Sequence, residues 1–166
     1  MTHTTVSRKN VTIYTDGSSK GNPGPGGYGV VLIYGSHRRE LSRGFRLTTN
    51  NRMELLAVID ALKTLKESCD ATIYTDSRYV ADALNKGWLK SWQARNWRKA
   101  DKKPVLNVDF WKALLPLLEK HRVTFKWVKG HNDNPENERC DRLAVAAAEG
   151  NNLVPDTVFE RENPTR

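Results

Sequence analysis

The sequence predicts an α/β protein, a single domain on a five-stranded mixed sheet flanked by helices. Three observations lead there. The pentapeptide Thr-Ile-Tyr-Thr-Asp occurs twice, at Thr12 to Asp16 and at Thr72 to Asp76, each copy a run of β-branched and aromatic residues that ends on an acid. Elsewhere apolar residues recur at helical spacing, as Leu55, Val58, Ile59, Leu62 and Leu65 do. The length of 166 residues, 38% of them hydrophobic, suits one ordinary core and is too short for two comfortable domains.

Residues 11–16 read as the first strand and Tyr28 to Tyr34 as the second, joined by the glycine-rich turn Gly21-Asn22-Pro23-Gly24-Pro25-Gly26-Gly27. Gly35-Ser36 makes a hairpin turn into a third strand over 39–48, which completes an antiparallel meander of three. Thr48, Thr49 and Asn50 offer caps for a helix that starts near Arg52. A strand over 71–76 and a short helix near 78–86 follow. Asn107 caps a further helix, in which Pro116 demands a kink or an early end. Val123 to Val128 forms the fifth strand, and Asn134-Pro135-Glu136 opens a last helix with proline at its first position and an acid in its first turn. This leaves 1–10 as a flexible arm, 11–149 as the domain and 150–166 as a polar, mobile tail.

A net charge of +8 implies an anionic partner, nucleic acid ahead of an acidic membrane surface, because no basic amphipathic helix or long apolar run is present. Met1 to Asn10 holds no apolar core of signal-peptide length, so a cytoplasmic location follows by default. Cys69 and Cys140 are lone and far apart, which suits reduced core thiols. The stretch at about 86–106 interleaves aromatics with cations. Trp88 and Trp92 stand one helical turn apart and share a face, while Lys86, Lys90, Arg95, Arg98, Lys99, Lys102 and Lys103 are available to phosphates. Packing of the tryptophans onto the domain is the competing assignment, and it is the one favoured for Trp97.

Side chains alternate across a strand, so Thr12, Tyr14 and Asp16 share one face, as do Thr72, Tyr74 and Asp76. Glu54 is in line with Val58, Ala61 and Leu65, and Asp141 with Ala144, Val145 and Ala148, so both point inward. Taken singly, each acid reads as readily as a boundary residue or a cap. Four converging by chance is far less expected, and buried carboxylates need a partner. A hard divalent cation such as magnesium, which prefers oxygen ligands and keeps waters for substrate, meets that need. Such clusters, with two ions roughly 3.5–4 Å apart, serve phosphodiester hydrolysis. His131, in Val128-Lys129-Gly130-His131, reads as a metal ligand, a general acid or base, a proton shuttle, or an exposed loop residue. The glycine-rich turn lacks the Gly-Lys-Ser/Thr ending of a nucleotide loop, so its glycines are expected to let the backbone approach a minor groove.

These residues resemble a known family. Thr15-Asp16-Gly17-Ser18, the glycine-rich turn, Thr48-Thr49-Asn50-Asn51-Arg52-Met53-Glu54-Leu55, Thr75-Asp76-Ser77 and Lys129-Gly130-His131 through Asp141 look like bacterial type 1 ribonuclease H, in order from about Val11 to Ala148. The resemblance implies a ribonuclease H-like fold, an antiparallel three-strand meander plus two parallel strands. It implies an endonuclease that cuts the RNA strand of RNA·DNA hybrids, leaving 3′-hydroxyl and 5′-phosphate ends, with two Mg2+ ions or Mn2+. Asp16, Glu54, Asp76 and Asp141 would hold metal, Asp16 bridging both ions, and His131 would move protons during product release. Asn22, Asn50 and Asn51 resemble residues that meet 2′-hydroxyls or base edges. Thr49 and Asn107 resemble a pocket for a phosphate of the DNA strand, Arg78 stands where some relatives carry Gln, and Leu47 stands where some carry Arg, with Arg46 one step away. Trp88, Trp92, Lys102 and Lys103 belong to a stretch like the family's basic substrate handle. A monomeric form without membrane contact completes the expectation. Two other functions remain open at this level, a strand-transfer or junction-cutting nuclease on the same fold and a non-catalytic hybrid-binding module.

Overall fold

The two copies of the repeated pentapeptide are neighbours. In the computed structural model, which describes residues 8–130 and 134–164, they lie in β1 (Lys9–Ser19) and β4 (Cys69–Thr75). The strands pair in parallel and in register, from Thr12 opposite Thr72 to Thr15 opposite Thr75. The Tyr14 and Tyr74 rings stack with centroids 5.1 Å apart. β2 (Gly24–Tyr34) pairs antiparallel with β1 and β3 (His37–Thr48) antiparallel with β2, while β5 (Arg122–Trp127) lies parallel beside β4. The resulting order, β3-β2-β1-β4-β5, is the expected meander plus two parallel strands.

The helices are α1 (Asn50–Thr64), α2 (Arg78–Asn85), α3 (Trp88–Ala94), α4 (Val108–Lys120), α5 (Pro135–Glu149) and α6 (Thr157–Glu162). α1 and α5 lie on opposite faces of the sheet, because neighbouring glycines of β2 meet different helices. A Cβ added to Gly26 would stand 3.3 Å from the Met53 side chain of α1, and one added to Gly27 would stand 2.7 Å from the Ala144 carbonyl of α5. Glycine at position 27 therefore lets a helix settle directly on the strand, a role inside the protein rather than the expected approach to a minor groove. Ile13, Ile73, Val30, Met53, Leu55, Val58, Leu62, Trp111 and Leu114 fill the core and are fully buried. Each such aliphatic side chain contributes about 1.5–3 kcal/mol by leaving water.

Thr49 caps α1 by accepting from the Arg52 amide at 3.2 Å, Ser77 caps α2, and Asn134 caps α5 ahead of Pro135. Asn107 precedes α4 but does not cap it through its side chain. Its backbone is left-handed, with φ 63°, and its amide donates to the Tyr79 hydroxyl at 3.0 Å. Pro116 does not end α4, which continues to Lys120.

Both ends of the chain differ from expectation. β1 starts at Lys9, inside the presumed arm, and residues 1–7 lie outside the described ones. The polar tail is docked as far as Glu160, which pairs with Arg46. Arg46 N–H donates to the Val154 carbonyl at 3.0 Å, Val154 N–H donates to Gly44 at 3.1 Å, and Asp156 is buried before α6. Its partner is Arg52, a buried cation. Cys69 and Cys140 are free and buried, as expected. Among the described residues no helix is long and apolar enough to cross a membrane.

Candidate active site

β1 and β4 run parallel, so their acid-bearing ends emerge at the same edge of the sheet. Asp16 is set there by β1, and Asp76 follows the last residue of β4, just before the Ser77 cap of α2. The first turns of α1 bring in Glu54, and α5, pressed against β2 through its glycines, brings in Asp141. All four line one cavity of about 440 Å³, together with Asn50, Asn51, Ser77, Arg78 and Tyr79. Carboxylate oxygens of Asp16, Glu54 and Asp76 lie within 4.8 Å of one another. Asp141 lines the same cavity, near enough for its charge to act on Asp16.

The electrostatics of this cluster are adverse. Burial, then the charges of Asp76 and Asp141, push the Asp16 carboxyl up to about 8. Burial, then Asp16 and Asp76, raise Glu54 well above the ordinary carboxylate range. Glu54 Oε2 is buried without a hydrogen-bond partner. Acids so close share protons or share cations, since like charges at this distance cannot all ionise unaided. An all-oxygen donor set with an orphaned carboxylate oxygen fits a hard divalent ion.

The remaining predicted residues divide into those brought to the site and those that lie elsewhere. The Asn50 amide donates to Asn22 Oδ1 at 3.1 Å, so these two residues form one rim with Asn51 beside the acids. Arg52 ties Thr49 to Asn107: its backbone N–H meets Thr49 Oγ1, and its Nη1 donates to Asn107 Oδ1 at 3.4 Å. Arg46, one step from the Leu47 position, is held by Glu160 of α6 in a 2.8 Å ion pair. Arg78 is exposed on the cavity wall, its guanidinium 4.0 Å from the Trp127 ring centre. His131 lies outside the described residues, although Gly130 just before it lies against the Asp76 side chain.

Trp88 is 40% exposed and free to meet a ligand, whereas Trp92 is half-buried, with its ring 5.4 Å from that of the fully buried Trp111. Trp97 packs against the core, as favoured from the sequence. Lys102 and Lys103 are exposed in a loop that Arg98 braces by donating to the Lys102 carbonyl at 3.0 Å. Arg52, Asp156 and Trp127 escaped sequence reading. An arginine in the first turn of an otherwise buried helix is the one signal that could have flagged the first of them.

A sheet whose parallel strands end on a cluster of carboxylates, rimmed by asparagines and flanked by a basic arm, has the donor set of a metal-dependent enzyme of phosphodiester cleavage. The RNase H family model matches residues 8–149. A ribonuclease H of Desulforamulus reducens is 59% identical over 93% of this chain and 98% of its own length. Ribonuclease HI of Synechocystis sp. is 56% identical over 88% of this chain and 92% of its own. Among solved structures, LC9-RNase H1, described as a type 1 RNase H with the type 2 active-site motif, superposes with a TM-score of 0.80 at 30% identity, covering 98% of this chain and 84% of that one. LC11-RNase H1 in complex with RNA/DNA hybrid gives 0.64 at 26% identity over 84% of this chain and 96% of that one. The chain belongs to the RNase H family. Members of the family cut the RNA strand of RNA·DNA hybrids, and this chain is an endoribonuclease of that kind.

Proposed function

We propose that hydrolysis here uses two divalent ions, Mg2+ or in its place Mn2+, which Asp16, Glu54, Asp76 and Asp141 would hold. The observation that carries this reading is the convergence of the four carboxylates on one cavity, three of them within 4.8 Å, with Glu54 Oε2 unpartnered. When bound, the ions supply an activated water and offset the charge that builds on the departing oxygen. Water oxygen bonds to phosphorus, the P–O3′ bond breaks, and the products carry a 3′-hydroxyl and a 5′-phosphate. The four acids hold the site, and His131 takes up or delivers protons as product leaves.

Asn22, Asn50 and Asn51 meet the minor groove, where the 2′-hydroxyl distinguishes RNA from DNA. The Asn22–Asn50 bond supports a fixed rim for that reading. Thr49 and Asn107, joined through Arg52, receive a phosphate of the DNA strand, and Arg78 receives one near the cleaved bond. Trp88, Lys102 and Lys103 bind the hybrid further out, while Trp92 mainly anchors the handle to the core. The protein acts as a monomer in the cytoplasm, with about 86–106 as the basic handle of its catalytic domain.

A junction-cutting nuclease on this fold would need additional DNA-binding parts, and a purely binding module would not need all four acids. The deciding experiment follows an end-labelled RNA strand alone, in an RNA duplex and in an RNA·DNA hybrid, with Mg2+ and with chelator. Metal-dependent cutting confined to the hybrid is expected. Binding without cutting would overturn the assignment.

A further inference from the structure

We infer that Trp127 is a positioning residue for the reaction, orienting Arg78 toward a phosphate of the cleaved strand and fixing the backbone that carries Asp76. The inference rests on the reading of the carboxylate cavity as the hybrid-cleaving site. Trp127 ends β5 and is 40% exposed, so it is not there to fill the core. It nevertheless makes two directed contacts with the site. Its ring lies under the Arg78 guanidinium, 4.0 Å from the ring centre, and its Nε1–H donates to the Asp76 carbonyl at 3.0 Å. The next residue continues the join, because Val128 N–H donates to the Thr75 carbonyl at 2.9 Å. The end of β5 is thus clipped over the end of β4, at the point where the chain turns from strand into α2. Gly130 completes the clip: a Cβ there would stand 3.0 Å from Asp76 Oδ2.

The chemistry of stacking explains what this arrangement does for Arg78. An exposed arginine samples many rotamers and loses that freedom when it binds. A guanidinium held 4.0 Å from the centre of an indole ring has already lost much of it, while its N–H donors remain available to a ligand. Those donors can take the two oxygens of a phosphate side by side. Arg78 opens α2 on the wall of the cavity that holds Asp16, Glu54, Asp76 and Asp141, so a phosphate gripped there belongs to the strand being cut. Lysine lacks the planar fork that takes two phosphate oxygens, and an arginine without the ring would have to be ordered by the substrate itself.

Variants separate the two contacts. Trp127→Leu removes both, Trp127→Phe keeps a ring face and loses the N–H, and Arg78→Ala removes the gripped cation. Steady-state cleavage of a hybrid, melting temperature and titration calorimetry of Mg2+ into free protein are measured for each. Arg78→Ala and Trp127→Leu should each raise KM on the order of tenfold. The double variant should raise KM no further than Arg78→Ala alone at saturating Mg2+, because the two side chains act as one unit on the phosphate. Trp127→Phe should keep KM near that of the parent while weakening Mg2+ binding several-fold. Multiplying KM effects in the double variant, or a Trp127→Leu protein that melts lower with unchanged KM, would overturn the Arg78 role. Unchanged Mg2+ binding in Trp127→Phe would overturn the Asp76 role. A parent protein that cuts no hybrid would instead overturn the site assignment itself.

Discussion

Asp109 and Asp156 meet Arg52, whereas Asp16, Glu54 and Asp76 meet one another. The first group is a finished ion cluster. Arg52 is 2% exposed and donates to both oxygens of Asp156, at 2.7 and 2.9 Å, and to both oxygens of Asp109, at 2.8 and 2.7 Å. Phe110 closes over it, 3.9 Å from the guanidinium carbon to the ring centre. Burial works against its charge, but the hydrogen bonds to Asp109 and Asp156 outweigh this and hold its pKa above the ordinary arginine value. The second group has no such cation among the described residues that line its cavity, apart from exposed Arg78 at the wall. Similar chemical groups at similar depth therefore serve opposite ends: one set fastens α6 and the N-terminus of α4 to α1, and the other is kept short of positive charge so that metal can supply it.

Removing one acid from the second group should have the largest effect. Asp16→Asn should reduce cleavage at least ~10³-fold, a loss of about 4 kcal/mol of transition-state stabilisation. Hybrid binding, measured by fluorescence anisotropy, should persist because the basic surface is untouched. Near-parental turnover would remove Asp16 from the metal site. In the first group the same kind of edit acts on stability instead. Arg52→Ala leaves Asp109 and Asp156 facing each other without their cation, and breaking a buried pair costs about 3–5 kcal/mol. Thermal unfolding should show it as a fall of about 6–20 °C in Tm.

Asp16→Asn should move stability in the other direction, and pH decides where. In the metal-free protein the Asp16 carboxyl sits at about 8, against 3.8 ordinarily. Between those limits the folded state holds a proton that the unfolded state has released, so stability falls as pH rises through the window and levels off above it. Asn does not titrate. The Tm advantage of Asp16→Asn in chelator should therefore be absent near pH 4, grow toward pH 8 and then flatten. A gain on the order of 2 kcal/mol corresponds to about 4–8 °C. Added Mg2+ should raise the parental Tm and narrow the gap. A gap that does not change with pH would mean that repulsion among these acids is not what costs the parent stability.

The unequal legibility of the two groups has a physical origin. Alternation along a strand is local, so the ends of Thr12–Asp16 and Thr72–Asp76 could be seen as placed acids, and helical spacing exposed Glu54 and Asp141. The strand pairing itself is long-range, yet the identical pentapeptides happen to be the partners that lie in register. The Arg52 cluster draws on α1, the start of α4 and the segment before α6, and nothing in any one of them shows the other two. The segment after Gly150 was expected to be a loose tail for this reason: its composition is polar, and its anchor Asp156 gains meaning only beside Arg52. Asn107 misled similarly, because asparagine before a helix favours capping, whereas here Tyr79 and Arg52 claim its amide. Trp127 gave no sign because stacking on Arg78 joins the end of one strand to the start of a helix about 50 residues away.

Lys102 and Lys103 stand at the far limit of the same comparison, charges with neither burial nor a partner to define them. Lys102 has a left-handed backbone, with φ 69°, and the Lys103 amide donates to Asp101 Oδ1 at 3.0 Å, so the loop holds its shape while both ammonium groups face solvent. Exposed charges are screened and contribute little to folding, so Lys102→Glu with Lys103→Glu should leave Tm nearly unchanged. What they affect is encounter with a polyanion. Each phosphate contact contributes close to one unit to the salt dependence of binding, so the double charge reversal should raise KM several-fold at low salt and flatten log K against log salt by about 2. Because neither residue touches the carboxylates, kcat at saturating hybrid should hold. A loss confined to kcat would show that this arm acts on the chemical step, and the division drawn here between surface charge for capture and buried charge for catalysis would then fail at its simplest point.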